Sequence, residues 1–125
     1  MPNRPMPLRR RTLSLALAGV LLAPTRAFAH AILLESQPAA DGKLAAGTVT
    51  LRFRYNSRID RARSRLVLTR PDHSQTTLKI APDGPPDVVS ATAELTPGPH
   101  MVRWQVLAVD GHITRGDVSF TVTGT

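Results

Sequence analysis

Cysteine is absent from this chain of 125 residues. Disulfide bonds and thiolate metal sites are therefore excluded, together with iron–sulfur clusters and cysteine-based zinc sites. Aromatic side chains are scarce, with one Trp, one Tyr and three Phe. This scarcity argues against a surface on which sugars or nucleic-acid bases stack. Helical periodicity is missing from residues 30–125, which excludes the mostly helical fold classes.

Acidic residues are missing from the first 29 positions, which carry five of the 16 basic residues. The remainder has 11 basic and 9 acidic residues, so the formal charge of +7 falls to about +2 and nucleic-acid binding loses its support. Six arginines cluster along one stretch, and they are interpreted as a solvated strand face with its turn, with phosphate or membrane contact as the alternative. These are Arg52, Arg54, Arg58, Arg61, Arg63 and Arg65.

Residues 1–29 have the three parts of a secretory signal peptide. Arg9-Arg10-Arg11 forms a positive region, and Leu13–Ala23 forms an apolar region of about eleven residues, too short to span a bilayer comfortably. Small residues end the segment and predict cleavage after Ala29, leaving a single exported domain of residues 30–125. Export is expected through the general secretory route or, because the arginine run resembles a twin-arginine signal, after folding.

The exported part predicts an all-β domain. Apolar and polar residues alternate over short segments separated by Gly- and Pro-containing turns, which indicates half-buried strands. The expected class is a seven-stranded antiparallel Greek-key sandwich or barrel, with Trp104 in its core and a long loop over Asp110–Asp117. Asp41-Gly42 predicts a loop. The predicted strands lie within 30–35, 48–56, 65–69, 76–80, 89–95, 102–108 and 118–122.

Four potential metal donors stand out in the exported chain. A histidine at a free amino terminus offers both its α-amine and its ring, so His30 is a candidate chelator after cleavage. Asp110 and His112 would project to the same side of an extended segment. Amine, imidazole and carboxylate donors favour Cu(II), and Cu(I) lacks soft ligands because Met101 stands alone once the leader is removed. Such a donor set suits a carrier or buffer of copper.

Less specific interpretations of the same residues stay open. Asp110-Gly111 is also a strong turn dipeptide and could serve only to close a hairpin. His73 follows a turn signal and is expected to be exposed, with a weak auxiliary contact to copper as its alternative role. His100 begins a predicted strand and is left outside the primary site.

The sequence resembles the CopC family of periplasmic copper-resistance proteins over most of residues 30–122. The resemblance begins with His30-Ala31, Leu33, Ser36-x-Pro38 and Asp41-Gly42, and continues with Val49-x-Leu51-x-Phe53. Its most specific part is the pattern that contains Trp104, Val106, Asp110-Gly111-His112, Gly116, Phe120 and Val122.

This resemblance implies a seven-stranded cupredoxin- or immunoglobulin-like sandwich that binds one Cu(II) ion per chain as a monomer. It implies His30, Asp110 and His112 as the ligands, and exchange of copper with an inner-membrane transport protein of the CopD type. Many members carry a methionine-rich loop for Cu(I), which is missing here. Some have an acidic residue near copper after the second strand, where this chain has Tyr55-Asn56-Ser57-Arg58.

Two other functions compete with a non-catalytic carrier. One is a copper oxygenase with an amino-terminal histidine brace, as in lytic polysaccharide monooxygenases. In such enzymes a second histidine completes the brace and a position stays open for oxygen, whereas Asp110 would occupy a coordination position here. The other is a metal-free immunoglobulin-like adhesion or chaperone module.

Overall fold

A computed structural model describes residues 31–124, which contain eight β-strands and no helix. The three-stranded sheet has the order β1-β3-β6, and the five-stranded sheet has the order β2-β8-β7-β4-β5. None of the residues in this range forms a helix that could cross a membrane. The strands are β1 (Leu33–Gln37), β2 (Gly42–Ala45), β3 (Gly47–Tyr55), β4 (Ile59–Thr69), β5 (Gln75–Leu78), β6 (Val88–Leu95), β7 (Gly98–Ala108) and β8 (Ile113–Thr123).

The prediction of an all-β, two-sheet fold is confirmed, but the predicted count of seven strands is wrong for residues 31–124. The additional strand is β2, which the sequence placed in a loop. Asp41 adopts a positive φ of 61° and its backbone N donates to Ser119 O at 2.6 Å. The chain thereby joins the edge of β8, with Gly42 opposite Phe120. This pairing is parallel, so the sandwich is not wholly antiparallel.

Three of the predicted strands begin well before their predicted starts, and one of them is β7, which begins at Gly98 rather than Val102. β4 begins before the predicted start at Arg65, because a bulge between Asp60 and Arg65 interrupts the regular alternation of that segment. β8 begins at Ile113, so the loop predicted over Asp110–Asp117 is wrong and only residues 109–112 connect β7 to β8. The connection that carries Asp110 and His112 is consequently a short hairpin turn between two well-paired strands.

Trp104 lies in the core, as predicted, and it explains a glycine inside β8. Its side chain is 7% exposed and packs edge-on against Tyr55, with 5.3 Å between ring centroids. Gly116 pairs with Trp104 across the β7–β8 ladder, and a Cβ there would lie 2.3 Å from the indole ring. Glycine is therefore required for packing at this position, which the sequence prediction had placed in the Asp110–Asp117 loop. Burial raises the pKa of the Tyr55 hydroxyl.

The strand connections gather at the two ends of the sandwich. The loop end contains residues 109–112 and the start of β4, because Ile59 pairs with Ala108. The opposite end contains the start of β7 and the β4–β5 turn, because Thr69 pairs with Met101. Met101 and Ala108 are seven residues apart on β7, which corresponds to roughly 23 Å. A side chain at one end therefore cannot contact a ligand at the other.

Candidate metal centre

The β7–β8 connection is a tight turn. Gly111 has a φ of 95°, and its backbone N donates to Ala108 O at 2.9 Å. Ala108 N in turn donates to His112 O at 2.9 Å, which closes the hairpin. Val109 N donates to Arg58 O at 3.1 Å and ties the turn to the start of β4. Glycine suits the left-handed conformation at the centre of this turn, since it carries no Cβ.

The turn brings the Asp110 and His112 side chains together. The expectation that they lie on an extended segment is wrong, but their convergence does not depend on it. His112 N donates to Asp110 Oδ1 at 3.1 Å, and the His112 ring Nδ1 lies 3.4 Å from the same oxygen. Two donors in adjacent positions on one metal, each about 2 Å from it, lie about 3 Å apart. Both side chains are about half exposed, so an ion could enter and leave.

The start of the described chain is fastened beside this turn. Thr114 Oγ1 donates to Ala31 O at 3.0 Å, and Ala31 is only 3% exposed. Ile32 N donates to Asn56 Oδ1 at 2.7 Å, while Asn56 N donates to Ile32 O at 3.0 Å. These contacts place the start of the described chain at the same end of the sandwich as the Asp110–His112 turn.

His30 and the cleavage predicted after Ala29 lie outside the residues that the structure describes. Between positions 31 and 124, no group of three or more His, Cys, Asp or Glu side chains could hold a metal ion. Asp110 and His112 therefore form a two-donor site within this range. A stable Cu(II) site would need further donors in addition to this pair.

Sequence reasoning missed Thr114 and Asn56. Nothing in the local pattern identifies Thr114 as a functional residue, because it is simply one of the residues near the start of β8 that face the interior of the sandwich. Asn56 follows a strand directly, and short polar side chains often bond to backbone groups at such places, so a weak signal existed. Asn56 lies in the stretch noted above for lacking a carboxylate, and here its amide holds the backbone of Ile32.

The two other histidines lie at the opposite end. His73 is exposed in the β4–β5 turn at a φ of 71°, as expected, but its position excludes contact with the Asp110–His112 pair. His100 is 4% exposed, with Nδ1 3.0 Å from Gly98 O and its ring stacked on Phe120. The auxiliary role considered for His73 is therefore wrong.

The arginine cluster of the sequence does not form one surface. Arg52 and Arg54 lie 3.9 and 2.9 Å from the Glu35 carboxylate. The Arg54 guanidinium beside Glu35 lowers the pKa of that carboxyl below its ordinary value. Arg61 instead donates to backbone carbonyls in the 82–88 connection. Arg63 forms an ion pair with Asp60 at 2.8 Å, so four of the six arginines are neutralised or used to hold a loop.

Comparison with known proteins agrees with this architecture. The CopC domain family model matches residues 33–123. The structure of CopC from Methylosinus trichosporium OB3b shares the fold, with a TM-score of 0.70 and 24% identity over 76% of this chain and 95% of that chain. PcoC from Escherichia coli, a methionine-rich copper resistance protein, gives a TM-score of 0.63 and 27% identity over 76% of this chain and all of that chain.

Curated sequences give the same result. Copper resistance protein C of Xanthomonas campestris pv. juglandis is 26% identical over 87% of this chain and 92% of its own length. Protein YobA of Escherichia coli K12 is 27% identical over 87% of this chain and 91% of its own length. The family match spans all eight strands and the Asp110–His112 turn. The chain therefore belongs to the CopC domain family of copper resistance proteins.

Proposed function

We propose that this protein is a periplasmic Cu(II) carrier or buffer that binds one ion per chain as a monomer. Its ligands are the α-amine and ring of His30, the Asp110 carboxylate and the His112 ring. The amine becomes available when the signal peptide, residues 1–29, is removed after Ala29. Residues 30–125 are then the copper-binding domain, and copper is the cargo of the protein.

The hydrogen bond from Thr114 to Ala31 is the observation that carries this proposal. Ala31 follows His30 directly, and neighbouring Cα atoms are about 3.8 Å apart. Thr114 lies two residues after His112, which is roughly 7 Å along an extended strand. Ala31, to which His30 is attached, is therefore held close to the Asp110–His112 pair, and this supports the proposal of a shared metal site.

The donor chemistry supports Cu(II) as the cargo. Nitrogen donors with one carboxylate suit Cu(II), which also heads the affinity order of the divalent first-row metals. Soft sulfur ligands for Cu(I) are missing from the loop end, since Met101 lies at the opposite end of β7. The exposed position of Asp110 and His112 suits exchange with another protein. By family resemblance, the exchange partner is an inner-membrane copper-transport protein of the CopD type.

A carrier role also fits the coordination expected here better than an oxygenase role. A histidine brace keeps a position open for oxygen, whereas the Asp110 carboxylate converges on the same point as His112. We therefore expect the copper-loaded protein to form no more peroxide with ascorbate than free Cu(II) does. Ascorbate-driven cleavage of a polysaccharide would contradict the carrier role.

A pair of proteins tests the amine ligand. One starts at His30, and its twin has a single Gly before His30. The extra residue moves the α-amine away from the ring, so the twin should bind Cu(II) far more weakly and lose a nitrogen signal from its EPR spectrum. Equal affinity and equal spectra would remove the amine from the site. Mass spectrometry of the exported protein should find His30 as its first residue.

Substitutions of two histidines test the imidazole ligand. His112→Ala should weaken Cu(II) binding, because it removes one of the donors in the turn. His73→Ala is the matched control, since it removes an exposed imidazole at the opposite end. A loss of affinity that is equal in the two variants would contradict the assignment of His112.

A further inference from the structure

Three arginines from three different strands meet on the outer face of the five-stranded sheet. Arg65 of β4 pairs with Gln105 of β7, which pairs with Arg115 of β8, so these residues form one row across the sheet. Arg103 lies in the next row, opposite Val67. The group surrounds a shallow depression of about 230 Å³. We call these three arginines the arginine row face.

Most of the charge on this face has no carboxylate beside it. Arg103 forms a two-pronged ion pair with Asp117, at 2.9 and 3.2 Å. Arg115 donates instead to the neutral Gln105 Oε1 at 2.8 Å, and among residues 31–124 it has no ion pair. The Arg65 side chain has neither an ion pair nor a hydrogen bond within that range. The face thus presents two uncompensated guanidinium groups.

Exposed apolar side chains continue this face toward the loop end. Ile113 is 49% exposed and pairs with Leu107, two residues along each strand from the Gln105–Arg115 pair. Val109, in the adjoining turn, is 64% exposed. Neighbouring residues leave about half or more of each of these two side chains uncovered. The face therefore combines uncompensated positive charge with apolar contact area.

We propose that the arginine row face binds the surface of a bilayer that contains anionic phospholipid. Guanidinium groups match the paired oxygens of phosphodiesters, and each basic residue near an anionic lipid surface adds attraction. Apolar side chains beside them enter the boundary between headgroups and acyl chains. This contact is peripheral, and it lays the Asp110–His112 turn against the membrane. The proposal goes beyond copper binding and does not depend on the copper ligands.

The outer face of the three-stranded sheet provides a matched control. Arg52 and Arg54 project from it, and both lie within 4 Å of Glu35. The double variant Arg52→Gln/Arg54→Gln removes two positive charges, the same number as Arg65→Gln/Arg115→Gln. The two variants therefore differ in the location of the lost charge and are equal in net charge.

The test is sedimentation of the exported protein with vesicles at millimolar lipid and low salt. Vesicles of phosphatidylcholine alone are compared with vesicles that also contain phosphatidylglycerol. We expect binding only to the anionic vesicles, and loss of that binding in 0.5 M salt. Arg65→Gln/Arg115→Gln should weaken it roughly 30-fold, since each arginine contributes about 1 kcal/mol and 1.4 kcal/mol is a factor of ten. The control variant should retain most of the binding.

Three results would overturn the proposal. One is the absence of binding to anionic vesicles at low salt by the unmodified protein. Another is an equal loss of binding in the two double variants, which would reduce the effect to net charge. The third is retention on immobilised polyglutamate without any vesicle binding, which would assign the face to an acidic protein. Thermal melts of both variants, run beforehand, establish that each is folded.

Discussion

Replacement of Thr114 by Val isolates the contact that fastens the start of the described chain beside the Asp110–His112 turn. Valine has nearly the same shape as threonine but cannot donate to Ala31 O, which the hydroxyl reaches at 3.0 Å. Thr114→Ser is the matched control, since serine retains the donor. The two hydrogen bonds between Ile32 and Asn56 remain in both variants. The substitution therefore loosens Ala31 without removing any proposed ligand.

The magnitude follows from one partly buried hydrogen bond. Such a bond contributes about 0.5–1.5 kcal/mol net to stability. If copper binding must restore the docked position of residues 30–32, the same free energy is subtracted from binding. At 1.4 kcal/mol per factor of ten, the affinity for Cu(II) should fall roughly 2- to 12-fold. This range lies at and below the lower edge of the effects seen when partners that orient metal ligands are removed.

Two measurements separate positioning from general destabilisation. Urea unfolding of the copper-free variants gives the change in stability, and competition titration with a chelator gives the copper affinity. We expect Thr114→Val to lose affinity and to broaden the EPR spectrum, and Thr114→Ser to restore both. If Thr114→Val lost stability but bound copper as tightly as the unmodified protein, the idea that this bond positions His30 would be refuted.

Three further results are expected. Copper affinity should fall steadily from pH 8 to pH 5 in chelator competition, because amine and imidazole donors bind only after losing their protons; constant affinity would reject this donor set. Gly116→Ala should lower the free energy of urea unfolding by about 1–3 kcal/mol, since the added Cβ overlaps the Trp104 ring. Arg103 lowers the pKa of Asp117, so their ion pair stabilises the fold above the ordinary carboxyl pKa of about 3.9 and is lost as the pH falls through the lower value of the folded state. Asp117→Asn should therefore be slightly less stable than the unmodified protein at pH 7 in the same assay, and the difference should vanish as the pH falls through the lowered pKa of Asp117.

Alternation predicts those strands that have one buried and one exposed face. β3 satisfies this condition, and its prediction as 48–56 is close to the observed Gly47–Tyr55. β2 fails it, because four residues at a sheet edge carry too short a pattern, and its parallel pairing with β8 depends on a distant segment. The sequence placed Gly116 in the predicted Asp110–Asp117 loop, whereas it lies in β8 opposite Trp104, whose ring requires a glycine there. Local patterns cannot report such long-range packing.

The same distinction separates the predicted site residues from the missed ones. Asp110 and His112 are two residues apart, so a single turn brings their side chains together. Their proximity can therefore be predicted from the local sequence. Thr114 and Ala31 are 83 residues apart, and no local pattern reports their hydrogen bond. The arginines show the same limit. Those between positions 52 and 65 lie on different surfaces of the fold, whereas Arg65 lines one depression with Arg115 of a distant strand.

The hydrogen bonds that hold residues 31 and 32 come from both sheets. Thr114 belongs to the five-stranded sheet and Asn56 follows a strand of the three-stranded sheet, and each holds one of these adjacent residues. Under the proposed function, the first ligand is therefore placed by both sheets and the remaining ligands by the β7–β8 turn. An unfolded chain has none of these separations fixed, so copper bound at the proposed site would favour the folded state by mass action, by about 2.7 kcal/mol at a free concentration one hundred times the Kd. Metal affinity and sandwich assembly are thus linked through the same few hydrogen bonds.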